Sequence, residues 1–268
     1  MKKILSIIIN ILLVLIPFLP ITENFTSNPV APAEFGSYLG ICVGIFVLMI
    51  FLLFILKKDF LIGTYPLKRT AILLFLVGMI VMIPLHLGPP REDETLFEAS
   101  HVEKTRYALL ILAVLILYFA IFLYLKQYWN TLKISGKLIV LPLILALPIL
   151  LWDSGDSFFF TEKIRNWVDS GKDSKTFFVE YVVKNVNYYA AGRILLYISI
   201  AWLTIILMHH SFIKKWKGNV IGLFCVIGII FCFLFLNGNP DFYFPFMVPA
   251  IVLAPAYWLG LSLFSEKS

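Results

Sequence analysis

Two carboxylates and a guanidinium stand at the edges of hydrocarbon runs in this chain. In "LPLILALPILLWDSGDSFFF", Asp153 and Asp156 close one apolar run, and Arg193 opens the next. Aspartates three residues apart share a face if the helix continues through them. Such groups can hold a divalent cation, exchange protons as acid and base, or neutralise one another. The catalytic or head-group candidates are Asp153, Asp156 and Arg193. His86, His101 and Asp241 are the metal-ligand candidates, with Glu98 beside them.

The elements that must position these groups are apolar. Of 268 residues, 60% are hydrophobic and 14% charged, against about 25% charged in soluble domains. Eight runs qualify as membrane spans, since crossing a hydrocarbon layer of about 30 Å takes roughly 20 helical residues. They cover about 4–21, 38–56, 70–87, 107–125, 138–160, 188–208, 220–236 and 242–264. None alternates with period two, so the expected fold class is all-α: one polytopic membrane helix bundle occupying 1–268 as a single domain. The first run is read as a retained helix. A signal peptide cut after Ala33 is the alternative, but Pro32 interrupts its small-x-small pattern.

The apolar core of the fifth run, from Leu138 to Trp152, is short, and so is that of the sixth, from Ile194 to Met208. Lengthening both toward each other draws in Asp153 and Arg193. Each then lies 15 residues from the far boundary, about 22 Å up the helix, so the two share a layer. The acid sits at a helix C-terminus and the base at an N-terminus, each unfavourable alone, which makes mutual compensation the first expectation. An outward-facing pocket that includes Asp156 is the second. Pro142 and Pro148 are expected to kink the fifth helix, and Gly155 to break it between the aspartates.

Charge orients the bundle. One set of connections holds 13 basic residues against Asp59 and Glu266, and the other holds 9 basic against 14 acidic. Basic flanks resist translocation, so both termini are expected in the cytoplasm of a multi-pass cell-membrane protein. The long connections fall on the outer side. Between 158 and 190, Phe160, Ile164, Trp167 and Val168 recur at helical spacing, as do Phe178, Tyr181, Val182, Val186 and Tyr189. Two amphipathic helices joined at Ser170–Asp173 are expected, resting on the outer leaflet, over the bundle, or as a lid. In "FLNGNPDFYFPF", turn and capping chemistry accounts for Asn237, Gly238, Asn239, Pro240 and Asp241.

The excluded functions are as informative. The chain has neither GxxxxGK[ST] nor GxGxxG, so no nucleotide and no cofactor is implied. Its basic residues sit in short connections beside spans, which explains them without nucleic acid. Cys42, Cys225 and Cys232 lie inside apolar runs without metal-ligand spacing. "DSGD" differs from the GxGD of membrane aspartyl peptidases, carrying Asp153 where glycine is required. No charged residue occupies mid-span, which argues against ion-coupled transport. The expected partners are membrane lipids and a partner membrane protein. The expected activity is extracytoplasmic binding or assembly on a lipid-linked substrate; a membrane enzyme with an Asp/Arg site and a facilitated transporter are the alternatives.

Overall fold

The structure is a computed structural model that describes residues 2–18, 30–65, 67–88, 95–177, 180, 183–237 and 248–264. Within them the chain is helical and no strand occurs. The main helices are α1 (Lys2–Leu15), α2 (Phe35–Ile62), α3 (Lys68–His86), α4 (Ser100–Tyr128), α5 (Val140–Phe158), α6 (Phe160–Asp169), α7 (Val183–His209), α8 (Lys215–Leu236) and α9 (Ala254–Leu263).

Six of them are long and apolar enough to cross a membrane: α2, α3, α4, α5, α7 and α8. The first and last apolar runs fold as shorter helices, over Ile4–Leu15 and Pro249–Leu263. Within the described residues these reach roughly 18 and 22 Å at about 1.5 Å per residue. Pro17 follows α1 in a 3-10 turn, while Pro249 and Pro255 open two successive helical pieces that meet at Leu253.

The helices close into a ring in which α3 packs on α4, α4 on α5, α5 on α7, α7 on α8, and α9 joins α8 to α3. The α1–α2 pair packs outside, along α3. Glycines permit the closest approaches. A Cβ at Gly260 would lie 2.8 Å from the Phe75 backbone nitrogen, and one at Gly78 would overlap the Tyr257 ring, so α3 and α9 meet with glycine on both sides. α3 is accordingly the most enclosed helix, while α2 and α8 expose most of their surface. Outward-facing Ile41, Val47, Phe51, Leu223 and Phe233 suit hydrocarbon surroundings.

Two expectations about local shape are corrected. α5 runs unbroken through Pro148 and Gly155 to Phe158, because a lone glycine near a helix end weakens the ladder without removing a donor. Among the described residues the outer segment holds one separate amphipathic helix, α6, and a single helical turn at Ser174–Phe177; Phe178, Tyr181 and Val182 of the expected second helix lie outside the described residues. The second stretch enters α7, which starts at Val183 instead of 188, since neither Pro nor Gly interrupts the chain between Val183 and Ala191.

Candidate functional site

Charged side chains are built into one end of the ring, where α3 ends, α4 begins, α5 ends and α7 begins. Arg193 Nη2 donates to Asp153 Oδ2 at 2.7 Å, joining α5 to α7 across 40 residues of sequence. Both side chains are buried. One turn beyond, Asp156 pairs with Lys163 of α6 and accepts a 3.1 Å hydrogen bond from the Tyr189 hydroxyl. The Arg193 guanidinium also stands 5.9 Å from the Tyr189 ring centroid, so the two acid–base pairs form one connected layer.

The ion pair forms part of the wall of a cleft that opens into the ring. Its lining comes from α4, α5, α7 and the Pro249–Leu253 stretch, and Ser154, Asp153 and Arg193 are its polar residues. Leu110, Val114 and Leu196 are among the apolar ones. The cavity itself measures about 10 Å³, room for about one water molecule and far below the roughly 300–1,000 Å³ of small-molecule sites.

A cap covers part of this end. Phe160 and Ile164 of α6 pack with Phe177 and with the half-buried Phe97, Trp167 and Val168, forming a small core separate from that of the ring. Tyr107 meets Phe160 edge-on at 6.3 Å, and Lys104 pairs with Glu162, which ties α6 to the start of α4. The Lys104 ammonium holds the Glu162 carboxyl below the ordinary glutamate value of 4.5. The segment therefore folds over the helix ends instead of lying as a loose surface connection.

The metal candidates are scattered. His86 is buried, and its Nε2 donates to the Pro17 carbonyl at 2.9 Å, so that nitrogen's lone pair is not available to a cation. His101 is exposed, with its ring against Phe35. Glu98 is exposed on a short helical turn. Asp241 lies outside the described residues. Among the described residues no three His, Cys, Asp or Glu side chains converge as metal ligands.

Sequence reasoning missed a second buried pair. Arg106 Nε donates to Glu103 Oε2 at 2.8 Å, and Arg106 Nη1 reaches the carbonyls of Pro84 and Gly88 at 2.9 and 2.8 Å. The Tyr38 hydroxyl donates to Ile83 O at 2.5 Å, and Val30 N to Leu87 O at 3.2 Å. These donors satisfy the carbonyls left open where α3 ends, and the guanidinium faces the negative end of its dipole. The sequence signal was the E-x-x-R spacing at a span's start, a one-turn ion pair. Lys163 and Tyr189, the partners of Asp156, had no comparable signal.

Fold and site together define a class: an all-helical bundle with six helices long and apolar enough for a membrane, carrying a charged, partly capped cleft at one end. No family model, no curated protein and no solved structure matches the chain.

Proposed function

We propose that this chain is a multi-pass cell-membrane protein that binds the polar end of a lipid-linked substrate at its extracytoplasmic face, or docks a partner membrane protein there. The observation that carries this reading is the charge buried at the acid-bearing end. There the Asp153–Arg193 pair and Ser154 stand beside apolar Leu110, Val114 and Leu196, the two chemistries that a lipid-linked substrate presents together. The enzyme alternative is less favoured, because both carboxylates are occupied: Asp153 by Arg193, and Asp156 by Lys163 and Tyr189. A general acid or base needs its proton within reach of the substrate.

Orientation rests on the basic connections at the opposite end, which positive-inside sorting assigns to the cytoplasm together with both termini. In this reading α1 and α9 complete eight crossings. Lys172 and Trp216 are both exposed, and the three cysteines are buried. In a cysteine-free background, an impermeant thiol reagent should modify K172C on intact cells and W216C only after permeabilisation. Labelling of W216C from outside would invert the topology.

The binding reading is tested by mass spectrometry of amphiphiles that remain with the protein in nanodiscs. S154A, which removes a cleft hydroxyl without adding volume, should weaken retention of a lipid-linked species and leave the thermal midpoint within a few degrees. A retained species untouched by S154A would place binding elsewhere. A chemically altered headgroup that accumulates with the native chain and not with D153N would make the protein an enzyme.

A further inference from the structure

Buried hydroxyls on the helices of this bundle turn back onto their own backbone. Ser199, Thr204 and Ser262 each donate to the carbonyl four residues earlier, at 2.7, 2.7 and 2.8 Å. Ser154 departs from that habit. It is 4% exposed, yet its hydroxyl has no hydrogen-bond partner among the described residues, and it lines the cleft beside Asp153 and Arg193. Asp153 is buried as deeply, at 5%. Its Oδ2 accepts from Arg193 Nη2 at 2.7 Å, and no donor among the described residues reaches Oδ1.

Buried polar groups that go unmet destabilise a fold, and a buried ion pair is tolerated best when its remaining lone pairs are satisfied. The Ser154 hydroxyl and the Asp153 carboxylate line the same cavity of about 10 Å³, the space that one water molecule occupies. Charge narrows the occupant further. A cation such as sodium would meet the Arg193 guanidinium, and an anion such as chloride the Asp153 carboxylate, so the cavity suits a neutral molecule that both donates and accepts. The side chains of Leu110, Val114, Leu150 and Leu196 complete the wall without adding a polar group.

We propose that this cavity is a binding site for a single water molecule, which donates to Asp153 Oδ1 and shares a second hydrogen bond with the Ser154 hydroxyl. Held there, the water completes the ion pair that joins α5 to α7 and is part of the structure rather than passing solvent. Ser154 is the residue that positions it. The inference concerns the chain's own occupant and stands apart from the lipid reading. A substrate headgroup that entered the cleft would displace the water, and one bound elsewhere would leave it in place.

The test is X-ray radiolytic footprinting of the full-length chain in nanodiscs, in which hydroxyl radicals formed from a bound water oxidise the side chains beside it. Leu196 and Val114 line the cavity, whereas Leu203 and Ile121, two turns further along the same helices, are buried outside its lining. In the native chain oxidation at Leu196 and Val114 should exceed that at Leu203 and Ile121 several-fold. S154V removes the hydroxyl and fills part of the space, and should erase the excess. S154A adds no bulk, which guards against a failure of S154V to fold, and should cut the excess by at least half. S157A, one turn along α5 and outside the lining, should leave it unchanged. Equal oxidation of all four side chains in the native chain would overturn the water. An excess that survives S154V and S154A would trace the radicals to bulk solvent and overturn the site. The thermal midpoint should be the same in sodium chloride and in choline gluconate of equal strength; a shift between the two salts that S154A abolishes would give the cavity to an ion instead.

Discussion

The two ends of the ring handle charge in opposite ways. At the cleft end, Asp153–Arg193 and Glu103–Arg106 are drawn below the surface and paired, and buried Asp156 pairs with the half-buried Lys163. At the other end Lys58, Arg69, Lys126, Lys133, Lys214 and Lys215 are all exposed, and tryptophans at 129 and 216 stand beside lysines. The difference lies in what surrounds each charge. A charge that must sit within reach of hydrocarbon is tolerated only with a partner, whereas one at the headgroup level is solvated by water and anionic lipid. Acidic residues explain the asymmetry: the cleft end has them and the basic end has almost none. Burial of charge is therefore a signature of the cleft end, and stability should respond to charge removal there and hardly at all at the other.

The largest expected effect follows directly. D153N strands a buried guanidinium and R193Q a buried carboxylate, each costing about 3–5 kcal/mol, and the swap D153R/R193D should recover part of that loss. K133Q at the basic end should stay within about 0.5 kcal/mol of the native chain. Thermal or chemical unfolding in nanodiscs measures both, and comparable losses at the two ends would dissolve the contrast. Next, Y189F removes a hydrogen bond to the Asp156 carboxylate and should cost about 1.5–3 kcal/mol. Y188F, altering the exposed neighbouring tyrosine, serves as the control.

The smallest effect tests the rim of the cleft end. Lys104 and Glu162 are substantially exposed, so E162Q should cost about 0.2–1 kcal/mol. The sign with pH is fixed by the lowered Glu162 value. The contribution is complete above the ordinary glutamate value of 4.5 and disappears as pH falls through the lower folded-state value. Hydrogen exchange across Phe160–Asp169 should therefore show the native and E162Q proteins differing at neutral pH and converging in acid. A difference that persists in acid would detach the cap's stability from this pair.

How much of this was legible in the sequence depended on whether the controlling geometry was local. The Asp153–Arg193 pair could be read because helical rise is fixed, so counting residues from each span's far boundary placed both groups at one depth. The amphipathic face of α6 was equally plain from Phe160, Ile164 and Trp167. The partners of Asp156 were not legible, since Lys163 depends on how the chain turns at Phe159, and Tyr189 on the rotation of α7. The length of α7 was misread because amphipathic and fully apolar stretches can share one uninterrupted helix.

By itself the sequence determined an all-helical, hydrocarbon-compatible chain, the polarity of its two ends and the layer at which its buried charges meet. Those properties follow from composition and from a helical repeat that does not vary with context. Tertiary structure alone decided that the shortest of the ring's six helices, α9, closes it against α3, that Gly78 and Gly260 are the points of closest approach, and that Asp153 and Arg193 face a common cleft. Each depends on which helices become neighbours and on how each is rotated about its axis, and apolar runs exposed on every side leave that choice to packing.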